Sequence, residues 1–283
     1  MNKSAFSELF FKVFRSGNPH FLFIGINVCV FLALNLLHLG EFLTGGSGLA
    51  AAFLTRHLGV PSDIAELPLK FWTPLSYMFT QKDFFHLLFN MLWLFWLGQI
   101  FLDFLNRKQF VFIYFAGGIA GALLYLIAFN TIPAFHSQLG RSVLIGSSAS
   151  VMAIVFATAT LVPNFTIRLL FFGNVKLKFL ALAYLLLSLI GVGSSNAGGN
   201  VAHLGGALMG FLFINQLQRG NDWSKIFQKK RKLKVVKSSP SERPRTSHPD
   251  QHEIDRILDK ISQSGYESLS KTEKETLFKA SKK

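Results

Sequence analysis

The chain has 283 residues, half of them hydrophobic, with 31 phenylalanines, only 16% charged residues and a mean hydropathy of +0.37. A soluble domain carries about a quarter charged residues; here the deficit is local, because Asp103 is the single acidic residue between Phe84 and Leu217, while 17 of the 29 Lys and Arg lie from Arg219 onward. The formal charge of +14 therefore argues against nucleic acid as a partner, since it sits beside hydrophobic spans rather than on a folded face; anionic lipid is the expected counterpart, at about 1 kcal/mol per nearby basic residue.

Residues 1–19 form a short basic arm. Phe6, Leu9, Phe10, Val13 and Phe14 recur in it at helical spacing, with Lys12 and Arg15 among them. This predicts an amphipathic helix lying on a membrane surface. The apolar run that follows is too long for a secretory signal, and no small-residue cleavage site stands out. Residues 20–218 read as an all-α, polytopic membrane domain with six transmembrane helices. A span needs about 20 apolar residues, and the run near 21–39 supplies them; the runs near 84–105, 110–129, 146–162, 179–192 and 201–217 are read as the other five spans. The lone Cys29 lies in the first run and excludes an intrachain disulfide.

The loop 40–83 is too apolar to be free in water and too broken by Gly and Pro to span. Short helices half-buried in the headgroup zone are expected there, with Trp72 and Tyr77 as interface anchors. Gly117, Gly118 and Gly121 mark close helix contact on the third span. Six spans put both termini on one side. If that side is cytoplasmic, the inside segments hold Lys3, Lys12, Arg15, Arg107, Lys108, Arg168, Lys176 and Lys178. The outside holds only Arg56, Lys70, Lys82 and Arg141. The expectation is a multi-pass protein of the cell (inner) membrane with both termini cytoplasmic. The glycosylation sequon at Asn164 then falls inside and is coincidental.

Residues 219–249 read as a basic flexible linker, with Lys229–Lys234 placed to meet anionic lipids. Residues 250–283 read as a small helical extension. Ile254, Ile257, Leu258 and Ile261 share one helical face, Gly265 is a stop, and Ser270 with Glu273 is a capping-box pattern for a second helix. So small a unit does not fold well alone. It is expected to dock an unknown cytoplasmic partner or to self-associate weakly.

Three sites break the apolar pattern of the spans. His86 and Asn90 lie one turn apart on the second span, Ser148 opens the fourth, and His203 opens the sixth. In the expected topology these three spans run from outside inward, so all three sites fall at similar depth near the outer face. Ser148 and His203 can form a nucleophile–base pair. Asp103 lies at the far end of its span, so a carboxylate triad is excluded and a dyad remains. His86 and Asn90 are donors that can join the Ser148 backbone N–H around an oxyanion. The plainer alternatives stay open: Gly146–Ser150 as helix packing, His203 as a hydrogen-bonded structural residue, or His86 and His203 as ligands to haem or a metal.

The same residues resemble those of the rhomboid family of intramembrane serine proteases. His86-x-x-x-Asn90, Gly146-x-Ser148 and Ala202-His203-x-x-Gly206-x-x-x-Gly210 are similar to three elements of that family, in the same order and across roughly Trp72–Phe211. The resemblance implies a rhomboid-like bundle. It implies Ser148 as nucleophile, His203 as general base, and His86 and Asn90 at the oxyanion hole. Gly206 and Gly210 would let the sixth span approach the fourth. The implied reaction is cleavage of transmembrane segments of other proteins near the outer membrane face, with no metal or cofactor. A non-cutting member that binds membrane helices is the implied alternative. Three positions depart from the family pattern: Ala149 stands where relatives often have Gly, Gln81 where they often have His, and Thr73 follows Trp72 where they often have Arg.

Overall fold

A computed structural model describes residues 4–169, 173–226 and 250–281. The chain divides into two compact units, Met1–Gln228 and Lys229–Lys283. In the first, helix α1 (Ala5–Phe10) runs into a single π-helical turn, Phe11–Arg15. The turn packs on helix α2 (Pro19–Leu43): Val13 and Phe14 abut Gly25, and Lys12 Nζ lies 4.6 Å from the centroid of the Phe21 ring. Phe10 and Phe14 stay exposed. Helix α2 starts on proline, whose missing N–H would have no intrahelical acceptor there anyway, and runs four residues past the expected end.

The loop after it is structured throughout. It contains α3 (Leu49–Leu58), strand β1 (Val60–Pro61), a 3₁₀ helix (Ile64–Lys70), α4 (Thr73–Ser76) and a 3₁₀ turn (Tyr77–Phe79). Tyr77 is not an interface anchor. It is 1% exposed, and its hydroxyl donates to the carbonyl of Gly118. Met78 beside it is fully buried, and its carbonyl accepts from the Tyr114 hydroxyl at 3.1 Å. The segment enters the bundle because its polar backbone groups find partners there. Trp72 remains partly exposed, with its indole N–H donating to the His57 carbonyl at 2.9 Å.

Helix α5 (Phe84–Phe104) begins where the Asp83 carboxylate caps the His86 N–H. Helix α6 (Arg107–Thr131) begins with a capping box made by Asn106 and Gln109. Strand β2 (Val143–Leu144) pairs antiparallel with β1 and leads into α7 (Ser148–Leu161). Strands β3 (Thr166–Leu169) and β4 (Gly173–Lys176) form an antiparallel pair where only a connector was expected. Helices α8 (Leu177–Gly191) and α9 (Ala197–Gln218) complete the unit.

Among the described residues four helices, α2, α5, α6 and α9, are long and apolar enough to cross a membrane. Helices α7 and α8, of 14 and 15 residues, are apolar but shorter. The six expected spans thus correspond to four full-length helices and two short ones. Helix α7 forms the core: from Ala149 to Val155 every residue is buried. Helices α6 and α9 close on it through small residues. Gly117 meets Ala153, Gly121 meets both Ala149 and Ala202, and Gly205 meets the carbonyl of Ala120. In lipid, where tails are as apolar as leucine, such close approach is what favours helix association.

In the second unit, α10 (Gln251–Ser264) ends at Gly265, whose φ of 77° suits glycine. Helix α11 (Lys271–Ser281) starts at the expected capping box. The Ser270 N–H donates to Glu273 at 2.7 Å, and the Glu273 N–H donates to Ser270 Oγ at 3.3 Å. Lys260 bridges from α10 to the same carboxylate at 2.9 Å, and Ile257 and Leu269 are buried between the elements. The basic run Lys229–Lys234, on which the lipid expectation rested, lies outside the described residues.

Candidate active site

Ser148 is the first residue of α7, and the approach to it is tightly set. The β1–β2 pair holds Val143 and Leu144. Two residues on, the Gly146 N–H donates to the Tyr77 carbonyl at 2.9 Å. Gly146 has φ 117°, a conformation side chains disfavour. A Cβ there would stand 2.9 Å from His86 Cε1 and 3.7 Å from Ser148 Oγ. The His86 ring and the Ser148 hydroxyl therefore flank one bare stretch of backbone. The N–H groups of the first turn of α7 have no intrahelical acceptor and point toward this end of the helix.

Helix α9 brings His203 to the same level. A Cβ on Gly206 would fall onto the carbonyl oxygen of Ala149, and one on Gly210 onto that of Ala153. Both obstacles are helix backbone, so neither can move aside. With glycine at both places α9 lies directly on α7, and His203 is one turn before the first contact. Ser148 and His203 are both buried, at 6% and 8% exposure.

The His203 imidazole is held by α8. Its Nδ1 lies 3.1 Å from Ser188 Oγ, and its ring meets Tyr184 edge-on at 5.7 Å between centroids. Its Nε2 is buried and has no hydrogen-bond partner, so it is not bonded to the Ser148 hydroxyl. When Nδ1 carries the proton, Ser188 accepts it and Nε2 presents a lone pair. A serine hydroxyl can equally donate to Nδ1, so a dyad requires the tautomer in which Ser188 acts as the acceptor.

Asn90 is 3% exposed, and its amide donates to Gln81 Oε1 at 3.0 Å. Gln81, itself fully buried, donates to Asn27 Oδ1 at 2.8 Å and to Ser147 Oγ at 3.1 Å. One glutamine thereby ties α2, α5 and the start of α7 without any formal charge. One N–H of the Asn90 amide remains for another acceptor.

His86, Asn90 and His203 all line one cavity of about 390 Å³ between α5 and α8, together with Trp93, Tyr184 and Asn196. Ser148 is not among its walls. Helix α8 packs on α9 and α7 and meets α5 through the Trp93–Tyr184 ring pair, 5.9 Å between centroids. Among the described residues no group of three or more His, Cys, Asp or Glu is gathered closely enough to hold a metal ion.

Three residues that shape the site were not foreseen from the sequence. Gln81 stood out only as a departure from a family pattern. Ser188 and Tyr184 sat in a leucine-rich run and passed as span filler. A hydroxyl inside an apolar helix needs a partner, and that was the available signal for Ser188.

Residues 68–219 match the family model of the Rhomboid domain, and residues 246–283 match that of a family of unknown function, DUF6576. No curated protein matches the chain. The Rhomboid match covers more than half of the 283 residues and takes in every helix from α5 to α9, so the chain belongs to the rhomboid family.

Proposed function

We infer that the chain is an intramembrane serine endopeptidase in which Ser148 is the nucleophile and His203 its general base. The rhomboid domain and the apolar helices make it a multi-pass membrane protein with a protease-like function, in a family that acts on transmembrane protein substrates. The finer reading rests chiefly on one observation. His203 is buried beside the first turn of α7 with one ring nitrogen engaged by Ser188 and the other unpartnered.

In this reading Nε2 takes the Ser148 hydroxyl proton as Oγ attacks a carbonyl carbon of the substrate backbone. The first-turn N–H groups of α7, the His86 ring and the remaining N–H of Asn90 meet the developing oxyanion. His203 then returns the proton to the leaving amine, and water repeats the sequence on the acyl-enzyme. The cavity between α5 and α8 is the lateral way in for an unwound substrate segment, and α8 is the element that moves. Six crossings would put the site near the outer face of the inner membrane, with both termini in the cytoplasm.

A fluorophosphonate probe tests the dyad. The wild-type protein should label, and Ser148→Ala and His203→Ala should not. Labelling that persists in Ser148→Ala would overturn the assignment. The absent Ser148–His203 hydrogen bond favours a second reading, a rhomboid that holds membrane helices without cutting them. A folded wild-type protein that never labels would select it.

A further inference from the structure

We propose that the cavity between the end of α2, α3 and the 140–143 segment is a binding site for the phosphodiester headgroup of an anionic membrane lipid. The cavity holds about 450 Å³, and its charged walls are Arg56, Lys82 and Arg141. Lys70 is the other cation of the loops that connect α2 to α5 and α6 to α7, and it is occupied elsewhere, bonded to Glu66 at 2.7 Å.

The acids on these loops and at the end of α2 are also committed. Glu41 accepts the N–H groups of Ala50 and Ala51, at 2.8 and 3.1 Å. Asp63 accepts from the Ala65 N–H at 2.8 Å, and Asp83 accepts from the His86 N–H at 3.0 Å. Glu66 is spent on Lys70. No carboxylate lines the cavity, and none of the described carboxylates pairs with Arg56, Lys82 or Arg141. Arg56 reaches the Gly140 carbonyl at 3.2 Å, next to the backbone of Arg141, and both arginines line the cavity. Cations gathered this way repel one another unless an anion sits among them. Guanidinium forks match the paired oxygens of a phosphodiester.

The rest of the wall selects a lipid over free phosphate. Leu34, Ala51, Ala52 and Val143 give it apolar contact, beside Asn35, His38, Ser47 and Thr55, whose polar groups suit a headgroup. Beyond it lie the exposed apolar faces of α2 and α3, with Leu36, Leu39, Leu49 and Phe53 open to acyl chains. The cavity also reaches Gln81, so an occupant braces the glutamine that holds Asn90.

The test uses the full chain in phosphatidylcholine nanodiscs with a graded fraction of phosphatidylglycerol. Lipid retained after gentle release is read by native mass spectrometry. Wild type should keep phosphatidylglycerol over phosphatidylcholine. Each of Arg56→Gln, Lys82→Gln and Arg141→Gln should weaken retention about fivefold, the factor to which about 1 kcal/mol per basic residue converts. All three side chains are exposed, and an unchanged melting temperature in pure phosphatidylcholine checks that the fold survives. Lys70→Gln is the control and should leave retention intact. Equal retention of the two lipids would overturn the proposal. So would a loss in Lys70→Gln matching the others, which would mean general surface attraction. Inorganic phosphate that competes as well as the lipid would overturn the lipid source.

Discussion

Replacing Ser188 by alanine isolates what the far side of the His203 ring contributes. The hydroxyl lies 3.1 Å from Nδ1, and Ser188 is 2% exposed, so no bulk water takes its place. A hydrogen bond between neutral groups is worth about 1 kcal/mol, and one to a charged group about 1.5–3 kcal/mol. A base in the proposed dyad is charged only as the proton leaves Ser148. The deletion should therefore cost the reaction roughly the difference, about 0.5–2 kcal/mol, a slowing of about 2- to 30-fold. The assay is the rate of fluorophosphonate labelling of the full chain in detergent micelles. Ser188→Thr keeps the hydroxyl and should recover most of the rate, which a purely steric role for Ser188 would not predict. A ¹⁵N-histidine spectrum gives a readout that does not depend on activity. Wild-type His203 should show a protonated Nδ1 and a bare Nε2, and Ser188→Ala should mix the two tautomers. Labelling of Ser188→Ala at the wild-type rate, with Ser148→Ala silent, would refute the positioning role and leave the dyad standing.

Other expectations follow from the packing and from the second unit. Gly206→Val places side-chain carbons onto the Ala149 backbone and should lower stability by at least about 1–3 kcal/mol, seen as a lower melting temperature in detergent. Gln81→Leu strands polar groups on Asn27, Asn90 and Ser147; at about 1–3 kcal/mol per orphaned group the melting temperature should fall, and labelling should fall with it. Glu273 has its pKa lowered to about 2, first by the Lys260 hydrogen bond and then by those at Ser270. A carboxylate depressed in the folded state contributes stability above its unfolded pKa and loses it as pH falls through the folded value. The amide resonances of α11 should therefore hold above about pH 4.5 and weaken toward pH 2, by a small margin because the pair is solvent-exposed. Deleting residues 250–283 should leave dyad labelling intact; a folded truncation that no longer labels would place the extension in the catalytic unit.

The helical plan was legible because apolar runs and small residues act locally. The runs located every main helix, and the family resemblance marked Gly206 and Gly210 for the close contact with α7 that they make. The Ser270–Glu273 box and the Gly265 stop were equally readable, since a cap needs only four neighbouring residues. What escaped was set by distant chain. Tyr77 looked like an anchor because a lone tyrosine in an apolar loop suits a membrane interface; its burial depends on Gly118, 41 positions away. Gln81 makes sense only beside Asn27 and Ser147, which lie 54 and 66 positions off. Helix lengths were also misjudged in both directions. Helix α2 continues through Gly40–Leu43 beyond the run near 21–39, whereas α7 takes up only 14 residues of the run near 146–162.

The shortness of α7 has a consequence of its own. Fourteen residues at a rise of ~1.5 Å make a rod about 21 Å long, against a hydrocarbon layer of about 30 Å. The rod falls short by roughly a third of that layer. The shortfall is best tolerated at the end where Gln81, Asn90 and Ser147 gather, because uncharged amides and hydroxyls that satisfy one another can sit below the lipid surface at modest cost. A bilayer with longer acyl chains deepens that burial and one with shorter chains relieves it. Membrane thickness therefore acts on this protein much as a solvent would, setting how wet the first turn of α7 can be.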